Sequence, residues 1–129
     1  MGQRDAKARG CYGEPARRGD AQGQTGLGGM YLQGRGVEQS YSMAKEFFEK
    51  AAKQGNAQAQ NSLGLMYDQG KGVKQSYSKA KEWLEKAAEQ GNADAPFYLG
   101  LRYDVEQSDA NATEWYGEAA KQGYAEAQE

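Results

Sequence analysis

The sequence contains no histidine, a single cysteine and no isoleucine, and it has no long apolar run. Without histidine, acid–base catalysis, nucleophile activation and zinc binding lose their most common participant. The lone Cys11 excludes an intrachain disulfide. No segment has the length and apolarity of a membrane span or the pattern of a signal peptide. We therefore predict a protein that is not an enzyme and that holds no cofactor and no metal.

The charge of the chain is nearly balanced, because 16 basic and 18 acidic residues give a net charge of −2. Residues 1–19 hold a local excess of basic side chains, which is more typical of a solvated end than of a nucleic-acid-binding arm. Leucine, valine and phenylalanine are scarce, but nine tyrosines, two tryptophans and many alanines supply apolar surface. This composition predicts one folded domain that binds neither nucleic acid nor a membrane.

The chain repeats itself with a fixed period. The pair Leu27-Gly28 recurs as Leu63-Gly64 and again as Leu99-Gly100, each 36 residues after the last. In the third repeat, four residues that match positions 69–72 are missing, and the register then resumes. A period of this size is typical of stacked helical repeats, in which each unit buries its apolar face against the next.

Each repeat is predicted to form two helices. In repeat two, the first helix (helix A) covers about 57–69, with Asn56 as its N-cap and Gly70 at its end. The second (helix B) covers about 76–89 and is capped by Ser76. The apolar stripe of this helix B is predicted to contain Tyr77, Ala80, Leu84, Ala87 and Ala88.

These motifs resemble the Sel-one-like repeat (SLR) family, a relative of the tetratricopeptide repeats. The Gly-x-Gly-Val turn between the two helices separates the resemblance from tetratricopeptide repeats themselves. It implies an all-α fold, a right-handed α/α superhelical solenoid of antiparallel helix pairs that acts as an adaptor in protein complexes. The residues of repeat two that carry it are Ala59, Leu63-Gly64, Tyr67, Gly70-Lys71-Gly72-Val73, Ala80, Trp83, Ala87-Ala88 and Gly91.

The domain organisation follows from this register. Three repeats are predicted at about 19–54, 55–90 and 91–122, and the remaining residues to 129 begin a fourth. Residues 1–18 fall where a preceding repeat would have its helix B, and we interpret them as a degenerate copy of that helix or as a cap. Pro96 is expected in the first turn of its helix, where proline is tolerated. The chain is expected to be a fragment of a longer array, or a degraded copy of one.

A candidate binding surface lies on the A helices, opposite their inward-facing apolar residues. The resemblance implies that these helices line the concave side of the superhelix. Four apolar side chains would form a strip along it, and three polar side chains would edge the strip. The strip consists of Leu32, Leu65, Phe97 and Leu101, and its edge of Asn61, Asp68 and Asp104.

The predicted function is a non-enzymatic protein–protein interaction module, an adaptor or scaffold that binds a peptide or protein on its concave surface. One alternative is a structural spacer within a longer array. Another is a relative of penicillin-binding enzymes or β-lactamases, whose Ser-x-x-Lys motif is formally matched by Ser76 and Lys79. Such relatives of this family are rich in paired cysteines, unlike this chain. The compartment is unknown from the sequence: cytoplasmic by default, or periplasmic or secreted for a fragment of a longer protein.

Overall fold

The computed structural model describes residues 13, 19–105 and 109–123, and these residues form an all-α solenoid of stacked helix pairs. Each helix packs chiefly against its neighbours in sequence, most closely within a repeat. The predicted fold class is confirmed. Of the degenerate helix predicted at 1–18, only Gly13 is described, and it is helical; the start of a fourth repeat lies outside the described residues. Between residues 19 and 123, the described part of the chain contains six helices: α1 Ala21–Gln33, α2 Tyr41–Lys53, α3 Ala57–Gln69, α4 Tyr77–Glu89, α5 Ala95–Val105 and α6 Asp109–Lys121.

The ends of α3 and α4 lie where their sequence signals predict. The Asn56 Oδ1 accepts a hydrogen bond from the backbone N–H of Ala59 at 2.9 Å, and the Ser76 Oγ accepts one from that of Lys79 at 3.3 Å. At the other end of α3, Gly70 has a φ of +69°, a left-handed conformation that glycine adopts without strain. Asp20 and Ser40 cap α1 and α2 in the same way.

The two helices of each repeat approach closely at the glycine of the Leu-Gly pair. A Cβ atom on Gly64 would lie 2.7 Å from Leu84 Cγ and 3.2 Å from the carbonyl oxygen of Ala80, both on α4. The leucines that precede these glycines are all buried, with 8% of Leu27 and none of Leu63 or Leu99 exposed. The three Leu-Gly pairs therefore occupy equivalent environments. A Cβ atom added at Gly28 would lie 2.6 Å from the Phe48 ring, and one added at Gly100 would lie 2.6 Å from the Tyr116 ring.

Tryptophans of the B helices fill the seams between repeats. Trp83 packs against a buried cluster that includes Phe48 of repeat one and Leu63 of repeat two. Trp115 of repeat three packs against a second cluster that includes Leu84. Both tryptophans are half-buried. Each aromatic ring thus joins its own repeat to the preceding one, as the stacking of repeats requires.

Two details of the helices differ from or refine the sequence prediction. The sequence predicts Tyr77 in the apolar stripe of its helix, but the side chain is 45% exposed because it lies at the first position of α4. The Arg102 guanidinium covers the Tyr77 ring, at 3.9 Å from the ring centroid. Pro96 does lie in the first turn of α5, where it is fully buried. Its missing N–H has no intrahelical partner to lose there.

Replacing Gly64 by alanine is expected to lower the free energy of unfolding by up to about 2 kcal/mol. Overpacking against Leu84 and the Ala80 carbonyl costs roughly 1–3 kcal/mol, which outweighs the gain of about 1 kcal/mol in helix propensity. Urea unfolding followed by circular dichroism measures the change. Gly117→Ala is the matched control: nothing lies within 4 Å of its added Cβ, so it should stabilise α6 instead. Stabilisation by both variants would contradict the close approach.

Replacing Ser76 by alanine is expected to destabilise the chain by about 1 kcal/mol, because the N–H of Lys79 loses its capping partner. The same unfolding measurement tests it. Ser78→Ala in the same turn of α4 is the control, since Ser78 is exposed and surface changes of this kind stay within about 0.5 kcal/mol. Equal effects at the two serines would show that the cap contributes nothing.

Candidate protein-binding surface

One leucine from helix A of each repeat contributes to a continuous apolar row, the leucine row, formed by Leu32, Leu65 and Leu101. Leu32 of α1 and Leu65 of α3 line one cavity of about 320 Å³. Leu65 also lines a smaller cavity of about 40 Å³, together with Leu101 of α5. Because Leu65 belongs to both cavities, the row crosses all three repeats. Leu101 is 40% exposed, and the other two leucines are half-buried.

An ion pair lines the smaller cavity together with Leu65 and Leu101. The Asp68 Oδ1 lies 2.6 Å from Nη2 of Arg102, and both side chains are less than a quarter exposed. Arg102 also covers the ring of Tyr77, so the pair connects α3, α4 and α5. Its Nε is buried and has no hydrogen-bond partner within the described residues. The negative charge expected from Asp68 is therefore largely neutralised.

The remaining predicted residues lie outside the two cavities of the leucine row. Asn61 was expected at the polar edge but is only 8% exposed, and its Oδ1 is buried without a hydrogen-bond partner in the part of the chain described. The ring of Phe97 packs against those of Tyr98 and Tyr116, each at 5.9 Å between centroids. Asp104 is exposed. Burial and then the Asp104 carboxylate raise the pKa of Tyr116 above its ordinary value.

Sequence reasoning missed Arg102, although the repeat register holds a signal for it. The equivalent positions in repeats one and two are Met30 and Met66, so a cation replaces a buried apolar side chain in repeat three. It also missed Lys71, whose Nζ lies 5.8 Å from the centroid of the Tyr41 ring, beside the first cavity. Such cation–aromatic contacts join side chains that are distant in sequence, and helical periodicity does not reveal them.

A larger and more polar cavity of about 460 Å³ lies beside α1 and α3. Its lining is dominated by amide side chains and glycines, and it offers few apolar anchors compared with the leucine row. The residues that line it include Gln22, Thr25, Gly26, Gly29, Gln33 and Gln58.

The Ser-x-x-Lys match has the geometry of a helix cap. The Ser76 Oγ accepts the backbone N–H of Lys79, while the Lys79 ammonium lies 5.5 Å from the centroid of the Tyr67 ring. Among the described residues, no group of three or more histidine, cysteine, aspartate or glutamate side chains is placed to hold a metal ion. In the same residues, no helix combines the length and the apolar character needed to cross a membrane.

Two solved structures are similar to this chain over 96% of its length. One is a Sel1 repeat protein from Oxalobacter formigenes, with 31% sequence identity and a TM-score of 0.91. The other is c5321, a protective antigen present in uropathogenic Escherichia coli strains and displaying an SLR fold, with 40% identity and a TM-score of 0.90. The chain spans 52% of the first protein's chain and 28% of the second's.

No curated protein matches the chain. The sequence model of the Sel1 repeat matches residues 21–56, 57–92 and 95–124, which contain the three helix pairs. The family predicted from the Leu-Gly pairs and the Gly-x-Gly-Val turns is confirmed. The chain belongs to the Sel1 repeat family.

Proposed function

We propose that this chain is a non-enzymatic adaptor that binds a peptide or a protein segment along the concave surface of its solenoid, with the leucine row as its anchor. The Sel1 repeat solenoid is a type of protein-interaction module. The observation that supports the leucine row as the binding site is that two adjoining cavities share Leu65. A bound segment could place one apolar side chain in each cavity.

The row has the composition of an interaction site. Apolar anchors that enter pockets supply most of the affinity at such sites, and the polar groups around them fix orientation. Leu101 is 40% exposed, so a partner would remove a substantial apolar area from water. Asp68 retains acceptor capacity beyond its contact with Arg102, since a carboxylate accepts several hydrogen bonds. The partner's backbone N–H groups can bind there.

We place the three other predicted residues, Phe97, Asp104 and Asn61, at the edge of the proposed binding surface. Phe97 and Asp104 lie on α5 with Leu101, and Asn61 lies on α3 one turn before Leu65. The unpaired Asn61 Oδ1 is a buried acceptor, which a modest local shift would present to a donor of the partner. We assign the anchoring role to the leucines and a secondary, orienting role to these three residues.

A structural spacer is the second candidate function. The chain spans 52% and 28% of the two solved relatives, so in a longer protein further repeats would stack on its ends. A spacer has no need of an open leucine row, and substitutions there would leave its partners unaffected. The two candidates therefore differ in what they predict for the row.

The double substitution Leu65→Asp/Leu101→Asp is expected to weaken peptide binding strongly. Peptides are first selected from a random displayed library on the purified wild-type chain, and their affinities are then measured by fluorescence anisotropy. Loss of two pocket anchors should weaken binding by at least about tenfold, which corresponds to roughly 1.4 kcal/mol. Circular dichroism confirms that the variant remains helical.

The matched control is Ser42→Asp/Ser78→Asp, which adds the same two charges at exposed positions in the first turns of α2 and α4. This control should bind the selected peptides as the wild type does. Equal affinity of the wild type and the leucine variant for every selected peptide would place binding elsewhere. Failure to select any peptide would favour the spacer.

A further inference from the structure

A further pocket lies away from the leucine row, on the seam between the B helices α4 and α6. It has a volume of about 260 Å³, and half-buried Trp115 of α6 contributes an aromatic wall. The other lining residues are Ala88 and three exposed glutamates, Glu89, Glu114 and Glu118. We refer to it as the Trp115 pocket. It combines an aromatic surface with three carboxylates, which is the chemistry that attracts an organic cation.

The equivalent aromatic rings of the other two repeats each carry a lysine. In repeat one the Nζ of Lys50 lies 5.5 Å from the centroid of the Phe47 ring, and in repeat two that of Lys86 lies 4.6 Å from the Trp83 ring. At the corresponding position of repeat three the sequence has Glu118. The aromatic ring at this repeat position is therefore covered by a lysine ammonium group in repeats one and two. In repeat three, helix α6 has the carboxylate of Glu118 in place of that lysine.

The same change turns an attractive charge pair into a repulsive one. In repeat one Lys50 pairs with Glu46 at 3.7 Å, with the i, i+4 spacing at which opposite charges stabilise a helix. The corresponding pair in repeat three is Glu114 and Glu118, and like charges at this spacing destabilise a helix by a similar amount. Within the described residues, neither carboxylate has a basic group within 4.0 Å.

The third carboxylate reinforces this pattern from the neighbouring helix. Glu89 is the last residue of α4, where repeat one has Lys53 as the last residue of α2. A helix carboxyl end carries a partial negative charge and favours a cation, so an acidic residue there is unfavourable by itself. The seam beside Trp83 has Lys53 and Lys86 at these two positions, whereas the seam beside Trp115 has Glu89 and Glu118. A cation bound in the pocket would relieve the repulsion between Glu114 and Glu118 and the unfavourable placement of Glu89.

We propose that the Trp115 pocket binds a lysine or arginine side chain of a partner protein, with the cationic group against the indole ring and between the three glutamates. The partner's side chain takes the position that Lys86 occupies on Trp83 in repeat two. This second contact surface does not depend on the leucine row. A protein that meets both surfaces would present an apolar segment to the A helices and a basic segment to this seam.

The two tryptophans allow a direct test by NMR on the ¹⁵N-labelled chain, which has two indole N–H signals, assigned with a Trp83→Phe variant. The probes are acetylated and amidated tripeptides, glycine–X–glycine, with lysine, arginine or norleucine as X. The Trp115 signal should shift saturably with the lysine and arginine peptides, and much less with norleucine. The Trp83 signal should stay in place, and added salt should weaken the shift.

Glu118→Lys restores the residue type of the other repeats and should weaken binding of the lysine peptide by at least about fivefold, through loss of a carboxylate and occupation of the ring. Glu38→Lys makes the same charge change at a remote exposed position and should leave the affinity within about twofold of wild type. Trp115→Leu, read out on the neighbouring backbone amides, should also lose the lysine response.

Several results would overturn the proposal. These are an equal shift with norleucine, an equal shift of both indole signals, or unchanged binding by Glu118→Lys. If Glu38→Lys weakened binding of the lysine peptide as much as Glu118→Lys does, the effect would come from the net charge of the chain and not from the Trp115 pocket. Tighter binding of spermidine than of a peptide with three spaced lysines would indicate a small polyamine ligand instead of a protein. A Trp115 shift on concentrating the chain without peptide would indicate a second copy as the occupant.

Discussion

The close contact of two helices at a glycine is the constraint on which the rest of this solenoid depends. Gly64 brings the backbone of α3 against Leu84 and the Ala80 carbonyl of α4. The same close approach of helix A to helix B recurs at the glycine of the Leu-Gly pair in all three repeats. Only with matching pairs do the exposed sides of α1, α3 and α5 align into one surface.

Much of the fold was predictable from the sequence because its signals are local. Asn56, Ser76 and Gly70 mark helix ends through contacts that span at most a few residues, and the structure places α3 and α4 within a residue of the predicted bounds. The Leu-Gly period then required stacking, since neither helix of a pair can bury its apolar face alone. Two members of the leucine row, Leu65 and Leu101, occupy equivalent positions of their repeats and could be anticipated for that reason, whereas Leu32 lies at the position equivalent to Asp68.

The chemistry of the surface was less predictable because it depends on contacts between repeats. Helical spacing assigns Asn61 and Leu65 to one side of α3, yet Asn61 is buried and Leu65 is half-buried. Which of two neighbouring positions reaches solvent depends on the helix packed alongside. In the same way, the ion pair between Asp68 and Arg102 could be predicted only by knowing that α3 and α5 lie close together at these two residues. Departures from the repeat, such as Arg102 for methionine and Glu118 for lysine, were visible in the sequence and indicated where chemistry differs between units.

The cation that rests on Tyr77 shows how such arrays can tolerate changes in length. Between repeats one and two, the loop residue Lys71 lies on Tyr41. Repeat three lacks the four residues that match this part of the loop, and Arg102 of helix α5 takes over the equivalent contact on Tyr77. Either a loop or a helix of the next repeat thus supplies the cation that covers the tyrosine at the start of helix B. In this chain the loop of repeat three is four residues shorter, yet a cation still covers the tyrosine, because Arg102 of the adjoining helix supplies the charge that the loop lacks.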